Sequence, residues 1–264
     1  MATSEALLSL VRSNSAISET VFTVICIAMV LIIFSIATNI MASQAYPSNP
    51  MVVKGLSNGN TLEVISQDSV PITRSQNQAG IEFSWSVWLN ITNLDNAPGQ
   101  YKHIFSKGDN DASAGTNGMN SPNNSPGLYL SPDSNSLVVV MNTFNTIDEQ
   151  IKIDDIPMKK WIHVLIRVEN RFLDVYINGA LTKRKLLVSV PKQNYGNIYV
   201  AMNGGFNGYL SNLQYFDYAL QPGPITAIVD KGPNLKASSS STQNAMNVKP
   251  PYFSLMWYFQ NSAS

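Results

Sequence analysis

Hydrolysis of a glycosidic bond needs two carboxyl groups flanking that bond, and on a strand this requires acids at alternate positions, which project to one face. The densest acid cluster, IDEQIKIDDIP, holds Asp148, Glu149, Asp154 and Asp155 without a catalytic spacing, so a solvated turn is expected there. His103 and His163 lie in strand-like stretches with no nucleophile or orienting acid nearby in sequence, and packing or backbone bonding is their expected role. No catalytic residue and no organic cofactor are assigned. Calcium is the one metal with a candidate loop, because GDNDASAG offers Asp109, Asp111 and Ser113 at alternating positions as hard oxygen ligands. The pattern then departs from a calcium loop: Ala114 stands where glycine is wanted and Asn120 where a bidentate glutamate is wanted. A polar Asn/Gly/Ser loop running on through TNGMNSPNNSP is the competing reading. Saccharides are held by aromatic plates and amide hydrogen bonds, and Asn194, Tyr195, Asn203, Phe206 and Asn207, near the turns around the last strands, form a candidate patch.

Composition removes several function classes. The formal net charge is zero and only 13% of residues are charged, so the chain has no broad cationic footprint for nucleic acid. The single cysteine, Cys26, excludes an intramolecular disulfide and a cysteine-based zinc site. Residues 21–40, VFTVICIAMVLIIFSIATNI, contain no charge and are long enough to cross the roughly 30 Å hydrocarbon core of a bilayer as a helix. A transmembrane helix is therefore expected; a buried core helix and a cleaved signal peptide, with small residues at Ser43-Gln44-Ala45, are the alternatives. Arg12 before the span and Lys54 after it give a slight preference for a cytoplasmic N-terminus. Residues 1–20 form an N-terminal tail, of which 5–12 read as an interfacial helix or a frayed end. Residues 41–50 form a connector.

Beyond the connector the pattern has period two. In IEFSWSVWLNI, Phe83, Trp85, Val87 and Leu89 alternate with Ser84, Ser86, Trp88 and Asn90. Further strands are expected at HIFSKGD, 127–130, 137–144, 198–202 and 209–216. WIHVLIRVENRFLDVYINGALTKR predicts three antiparallel strands in a row, with Asn178-Gly179 supplying the positive-φ pair of a tight hairpin. On its second strand Phe172, Asp174 and Tyr176 face away from the apolar stripe, toward a ligand or a covering layer; a scaffold role is preferred.

The order of these pieces resembles the laminin-G-like branch of the concanavalin A-like lectin and glucanase superfamily over residues 51–232. The resemblance rests on the aromatic strand FSWSVWLNI, the strand and turn HIFSKGD, the W-x-H-V strand leading to a V-Y-x-N-G hairpin, and the closing FNGYLSNLQYFDYALQPGPITAIV. It implies an all-β fold, a two-sheet antiparallel jelly-roll sandwich, with ligands on the concave face or the rim loops. The Glu-x-Asp-x-x-Glu strand of the superfamily's glucanases is missing. A sandwich behind a membrane anchor is also similar to virion components, minor capsid proteins, of large DNA viruses.

Residues 233–251, KGPNLKASSSSTQNAMNVKPP within their flanks, have linker composition. The arm at 252–264 carries Tyr252, Phe253, Met256, Trp257, Tyr258 and Phe259, too apolar to remain solvated. It returns to its own sandwich, inserts into a partner subunit or rests at a membrane interface. The sequence thus predicts a non-catalytic, single-pass membrane protein with partners in the lipid bilayer and in a large protein assembly, located between an inner membrane and a capsid shell. A cell-surface lectin that binds glycans, with or without calcium, is the alternative, and nucleic acid is excluded as a partner.

Overall fold

The computed structural model describes residues 5, 9, 16–45, 49–75, 77, 80–111 and 117–237. The chain divides into two compact units, met here in turn. The first contains helix α1 (Ala16–Ala45), longer at both ends than the expected span. Its segment Glu19–Ala37 has a mean hydropathy of 2.8 and is not buried by the rest of the chain, so it is long and apolar enough to cross a membrane and is no core helix. Every face is apolar, as a lipid-facing helix requires and as a surface helix of a globular domain does not show.

The second unit is a sandwich of two six-stranded antiparallel sheets. The first sheet has the order β1-β12-β3-β8-β9-β10 and the second β2-β11-β4-β5-β6-β7. The strands are β1 (Met51–Asn58), β2 (Glu63–Ile65), β3 (Glu82–Ile91), β4 (Lys102–Gly108), β5 (Asn124–Leu130), β6 (Leu137–Met141), β7 (Glu149–Ile153), β8 (Trp161–Glu169), β9 (Phe172–Ile177), β10 (Ala180–Leu186), β11 (Asn197–Val200) and β12 (Gly208–Phe216). The two-sheet expectation is met, and so is the facing of β3: Phe83, Trp85, Val87 and Leu89 lie in the core between the sheets. Trp85 spans that core, its ring 5.4 Å from Phe105 of the second sheet and 5.0 Å from Tyr215 of its own. The hairpin between β9 and β10 turns on Asn178 and Gly179, both with positive φ (50° and 82°).

Two strands depart from expectation. β7 occupies the stretch expected as a solvated turn; Glu149, Ile151 and Ile153 are buried while Gln150 and Lys152 are exposed, the alternation of a half-covered edge strand. Glu149 is held inside by the Thr143 hydroxyl at 3.1 Å and the Val188 amide at 3.0 Å, both donating to its carboxylate. β2, only three residues long, carries too little pattern to be seen in sequence.

The first sheet is buried on its outer face as well. Helix α2 (Pro222–Lys231) begins with proline in its first turn and lays Ile225 and Ile228 on Leu165, Tyr176, Phe216 and Leu220. The chain then crosses β1: the Leu56 amide donates to Lys236 O at 2.7 Å, and the Ser211 hydroxyl donates to Asn234 O at 2.7 Å. The first residues of the expected linker are therefore docked on the sheet. Gly55, at φ 87°, makes this possible, since a Cβ there would stand 2.3 Å from Lys236 O.

Asp174 and Tyr176 serve this covered face, whereas Phe172 at its margin is exposed. Asp174 is fully buried and accepts from Arg167 Nη1 at 3.0 Å, Arg184 Nε at 2.6 Å and Arg184 Nη2 at 2.8 Å. Arg167 also donates through Nε to Leu220 O at 3.0 Å, tying the entry of α2 to the sheet. Removing the carboxylate leaves the buried Arg167 guanidinium with only the partly exposed Glu169 carboxylate, 2.6 Å from Nη2, as a counter-charge. Asp174→Ala is therefore expected to cost about 3 to 5 kcal/mol, read as a lower urea midpoint for the detergent-solubilised chain; an unchanged midpoint would show that the cluster contributes no net stability.

Candidate functional site

The superfamily resemblance implies ligands on a sheet face or on the rim loops, and the outer face of the second sheet is one candidate. Here the chain covers it with its own loop, residues 117–123. The Asn120 backbone amide donates to the Tyr129 hydroxyl oxygen at 3.2 Å, and that hydroxyl donates to Asn124 Oδ1 at 2.9 Å. Asn120 Nδ2 donates to Ser106 Oγ at 2.8 Å, and Ser106 Oγ lies 2.9 Å from His103 Nε2. His103 Nδ1 accepts from the Met202 amide at 3.1 Å. His103 is thus bonded on both ring nitrogens inside the protein, as its expected packing role required.

Burial pushes the two histidines down, His103 to about 3 and His163 to about 4. His163, on the covered face of the first sheet, has Nε2 2.8 Å from Ser86 Oγ and its ring against Trp88. Both are neutral at pH 7, and the serine hydroxyl that each contacts, Ser106 Oγ and Ser86 Oγ, is itself buried away from any substrate. The unfolded chain binds protons at these positions below about pH 6.5 while the folded chain does not. Their contribution is complete above about pH 6.5 and falls away as the pH drops toward 4 and 3. Denaturation midpoints measured from pH 7.5 to 4.5 should decline, and the imidazole resonances of both residues should stay in the neutral form throughout; an imidazole titrating near 6.5 would contradict the burial argument.

With much of both outer faces covered, an accessible concavity opens at one end of the sandwich. It is a groove of about 810 Å³ between residues 73–81, the loop 142–148 and the loop 187–196, lined by Arg74, Asn77, Phe144, Val190, Gln193 and Tyr195 among others. The loops are tied to each other: the Phe144 amide donates to Val190 O at 3.1 Å, the Lys192 amide to Asn142 O at 2.9 Å, and the Ser125 hydroxyl to Lys192 O at 2.9 Å. Below them Lys107 reaches Gly196 O at 2.7 Å, and burial lowers its ammonium to about 8. Tyr215 donates to Thr73 O at 2.7 Å from the other side. These bonds hold Phe144 and Tyr195 outward as exposed rings. A second hollow of about 320 Å³ lies beside the covering loop, between Tyr101, Asn120, Val140, Asp148 and Gln150.

The five residues expected to form a saccharide patch are not brought together. Asn194 and Tyr195 precede β11 and sit at the groove end; Asn203, Phe206 and Asn207 follow it and sit at the other end. Phe206 is completely buried in the inter-sheet core, which removes it as a sugar plate. Asn207 Nδ2 is engaged with Asn93 Oδ1 at 2.6 Å, and Asn194 Oδ1 accepts from the Gly196 amide at 2.7 Å. Asn203 is exposed in a left-handed conformation with φ 53°. Tyr195 alone of the five faces the groove. In the calcium candidate, Asp109 Oδ2 accepts from Asn123 Nδ2 at 2.6 Å and Asp111 pairs with Ser121 across a bridge, while Ser113 lies outside the described residues. Among the described residues no three His, Cys, Asp or Glu side chains gather as a metal set. Tyr252, Phe253, Met256, Trp257, Tyr258 and Phe259 also lie outside the described residues.

Sequence reasoning missed Arg74, Phe144, Val188, Val190 and Gln193. The available signal was LLVSVPK, an apolar run that continues past the end of β10 into a proline turn, where apolar residues have no sheet to face.

The sequence profile of the Laminin G 3 family, of the concanavalin A-like lectin/glucanases superfamily, matches residues 65–226, more than half of the chain, and the chain belongs to that family. Among solved structures it is similar to the receptor binding domain of botulinum neurotoxin D, with 12% identity, 70% of this chain and 52% of that chain covered, and a TM-score of 0.49. The serotype G binding domain gives 13% identity, 66% and 45% coverage and a TM-score of 0.46. The serotype D ligand binding domain in complex with N-acetylneuraminic acid gives 14%, 70%, 42% and 0.45. The chain spans about half the length of these structures, and the likeness is one of fold alone. No curated protein sequence matches it.

Proposed function

We propose that the chain is a non-catalytic, membrane-tethered interaction module. The observation that carries this reading is the pairing of an all-round apolar helix with a sandwich whose faces are occupied by its own chain, the two separated only by residues 46–50. Glycoside hydrolysis requires two carboxyl groups across a groove. Among the described residues, the groove at the sandwich end is lined by no acid, and the hollow beside the covering loop by one, Asp148. In the more specific form of the reading, the chain joins a membrane to a protein layer, as a minor capsid component of a large DNA virus does, and residues 252–259 engage the second layer. Full-length protein in its native membranes should resist alkaline carbonate extraction and give cross-links from residues 252–259 to other protein species, lost on truncation after Lys249. Release by carbonate would overturn the tether; cross-links confined to the chain itself would overturn the assembly role.

One observation favours a lectin as a second reading: Tyr195 stands exposed beside the amides of Asn77 and Gln193 at the groove. In that case an immobilised glycan panel should retain the chain, and Tyr195→Ala should weaken retention at least about tenfold, the loss of a stacked ring and its burial. Absence of retention on every saccharide would reject this reading.

A further inference from the structure

The groove end of the sandwich carries more exposed apolar surface than a saccharide site uses. Among the described residues, the exposed large hydrophobic side chains of the sandwich are Leu62, Val64, Phe144, Ile147, Phe172, Leu181, Leu186, Val188, Val190, Tyr195 and Tyr218. Six of them, Phe144 (67% exposed), Ile147 (53%), Leu186 (56%), Val188 (60%), Val190 (41%) and Tyr195 (66%), lie on loop 142–148 and on the stretch 186–195. The two stretches are bound to each other by the Thr143–Pro191 bridge, and Phe144, Val190 and Tyr195 line one groove, with Ile147, Leu186 and Val188 on the flanking parts of the same two stretches. Four of the six are aliphatic, with neither a flat ring for a sugar nor a polar group for its hydroxyls. The soluble surface of a monomer rarely leaves such a cluster unpartnered.

Strand register fixes which end this is. Met51 pairs with Gln214, Gln214 with Ser86, Ser84 with Arg167, Glu169 with Phe172, and Phe172 with Leu186. Met51 itself is level with mid-strand Ser86 and Leu165, and β1 runs from there toward Ile91, so the chain approaches β1 from the Glu82 side, the side of Leu186 and the patch. The chain enters the sandwich from that side, six Cα steps after the last residue of α1, a reach of at most about 22 Å. Arg74, Arg171 and Lys192 stand exposed at the same end with no ion pair among the described residues, beside the exposed acids Asp68 and Asp148. Apolar side chains flanked by cations are the composition that rests in the headgroup region of a bilayer, the aliphatic tips at the acyl boundary and the cations at phosphates.

We infer that the loops 142–148 and 186–195 form a bilayer-contact surface, through which the sandwich sits on the membrane that α1 crosses. The inference rests on the membrane-tether reading and adds to it an orientation: the patch end faces lipid, and the β1–β2 turn at the opposite end faces water. A tether alone would leave the sandwich free to tumble above the surface. Contact at the patch instead turns the opposite end outward, as the face available to a partner.

The test uses the full chain at one copy per nanodisc of phosphatidylcholine and phosphatidylserine, with nitroxide accessibility to oxygen and to an aqueous nickel chelate as the readout. A label on the native Cys26 reports the anchor. Labels on Phe144→Cys and Val190→Cys, each in a Cys26→Ser background, report the patch, and Thr61→Cys in the same background reports the opposite end. The expected result is oxygen-favoured relaxation at 26, 144 and 190 and nickel-favoured relaxation at 61, with Val190→Asp moving the label at 144 toward the aqueous values. Circular dichroism melts of each variant establish that it is folded. Aqueous values at 144 and 190 with Cys26 still in lipid would overturn the contact and leave the tether standing. An aqueous Cys26 would overturn the tether and the contact together. Shielding of 144 and 190 from both reagents would mean that protein, not lipid, covers the patch, and would also overturn the inference.

Discussion

The carboxylate of Asp174, fully buried between two guanidiniums, is the interaction on which the cover of the first sheet depends. Arg167 is held by that charge and in turn holds Leu220 O, the point where the chain enters α2. A sandwich ordinarily leaves its outer faces to water, and a strand then alternates apolar and polar. Here β3, β4, β5, β6 and β8 are buried on both faces along most of their length. Every polar side chain on a covered face therefore needs a partner inside the protein, because a lost hydrogen bond there is not replaced by water. Ser84 meets Leu220 and Tyr218, Ser211 meets Asn234, His163 meets Ser86, and the His103–Ser106–Asn120–Tyr129–Asn124 chain does the same work on the second sheet.

That constraint moves the candidate function to the ends. The covering loop 117–123 packs on the outer face of the second sheet, and α2 with residues 233–237 packs on that of the first. What is left accessible is the rim, whose loops are braced from below by Lys107 and Tyr215 rather than supported by a sheet of their own. Loops fixed in this way can present apolar tips to solvent without collapsing onto the core, since their backbone groups are already satisfied.

The inward faces of the strands were legible because a buried face is written in the residues themselves: Phe83, Trp85, Val87 and Leu89 alternate, and Asn178-Gly179 permits only a tight turn. The outward faces were less so. For Asp174 and Tyr176 a scaffold role was preferred but a ligand contact stayed open, because a polar residue bound by water and one bound by an arginine 10 residues away have the same letter. The saccharide patch failed for a related reason. Asn194, Tyr195, Asn203 and Phe206 are near in sequence, but β11 carries the chain from one end of the sandwich to the other between them, and Phe206 turns into the core. Glu149 was misplaced because a carboxylate in a cluster of acids suggests water, whereas the Val188 amide and the Thr143 hydroxyl, distant in sequence, take it inside.

By itself the sequence determined the all-round apolar helix, the period-two strands, the tight hairpin and the family to which the sandwich belongs. Each of these follows from side-chain size, polarity and local backbone preference over a few residues. Only the tertiary structure decided that the outer face of the second sheet is largely covered, that the histidines are buried and neutral, and that Phe144, Val190 and Tyr195 meet at one rim. These outcomes depend on which distant segments pack together, and burial, counter-charge and exposure are properties of that packing rather than of any residue alone.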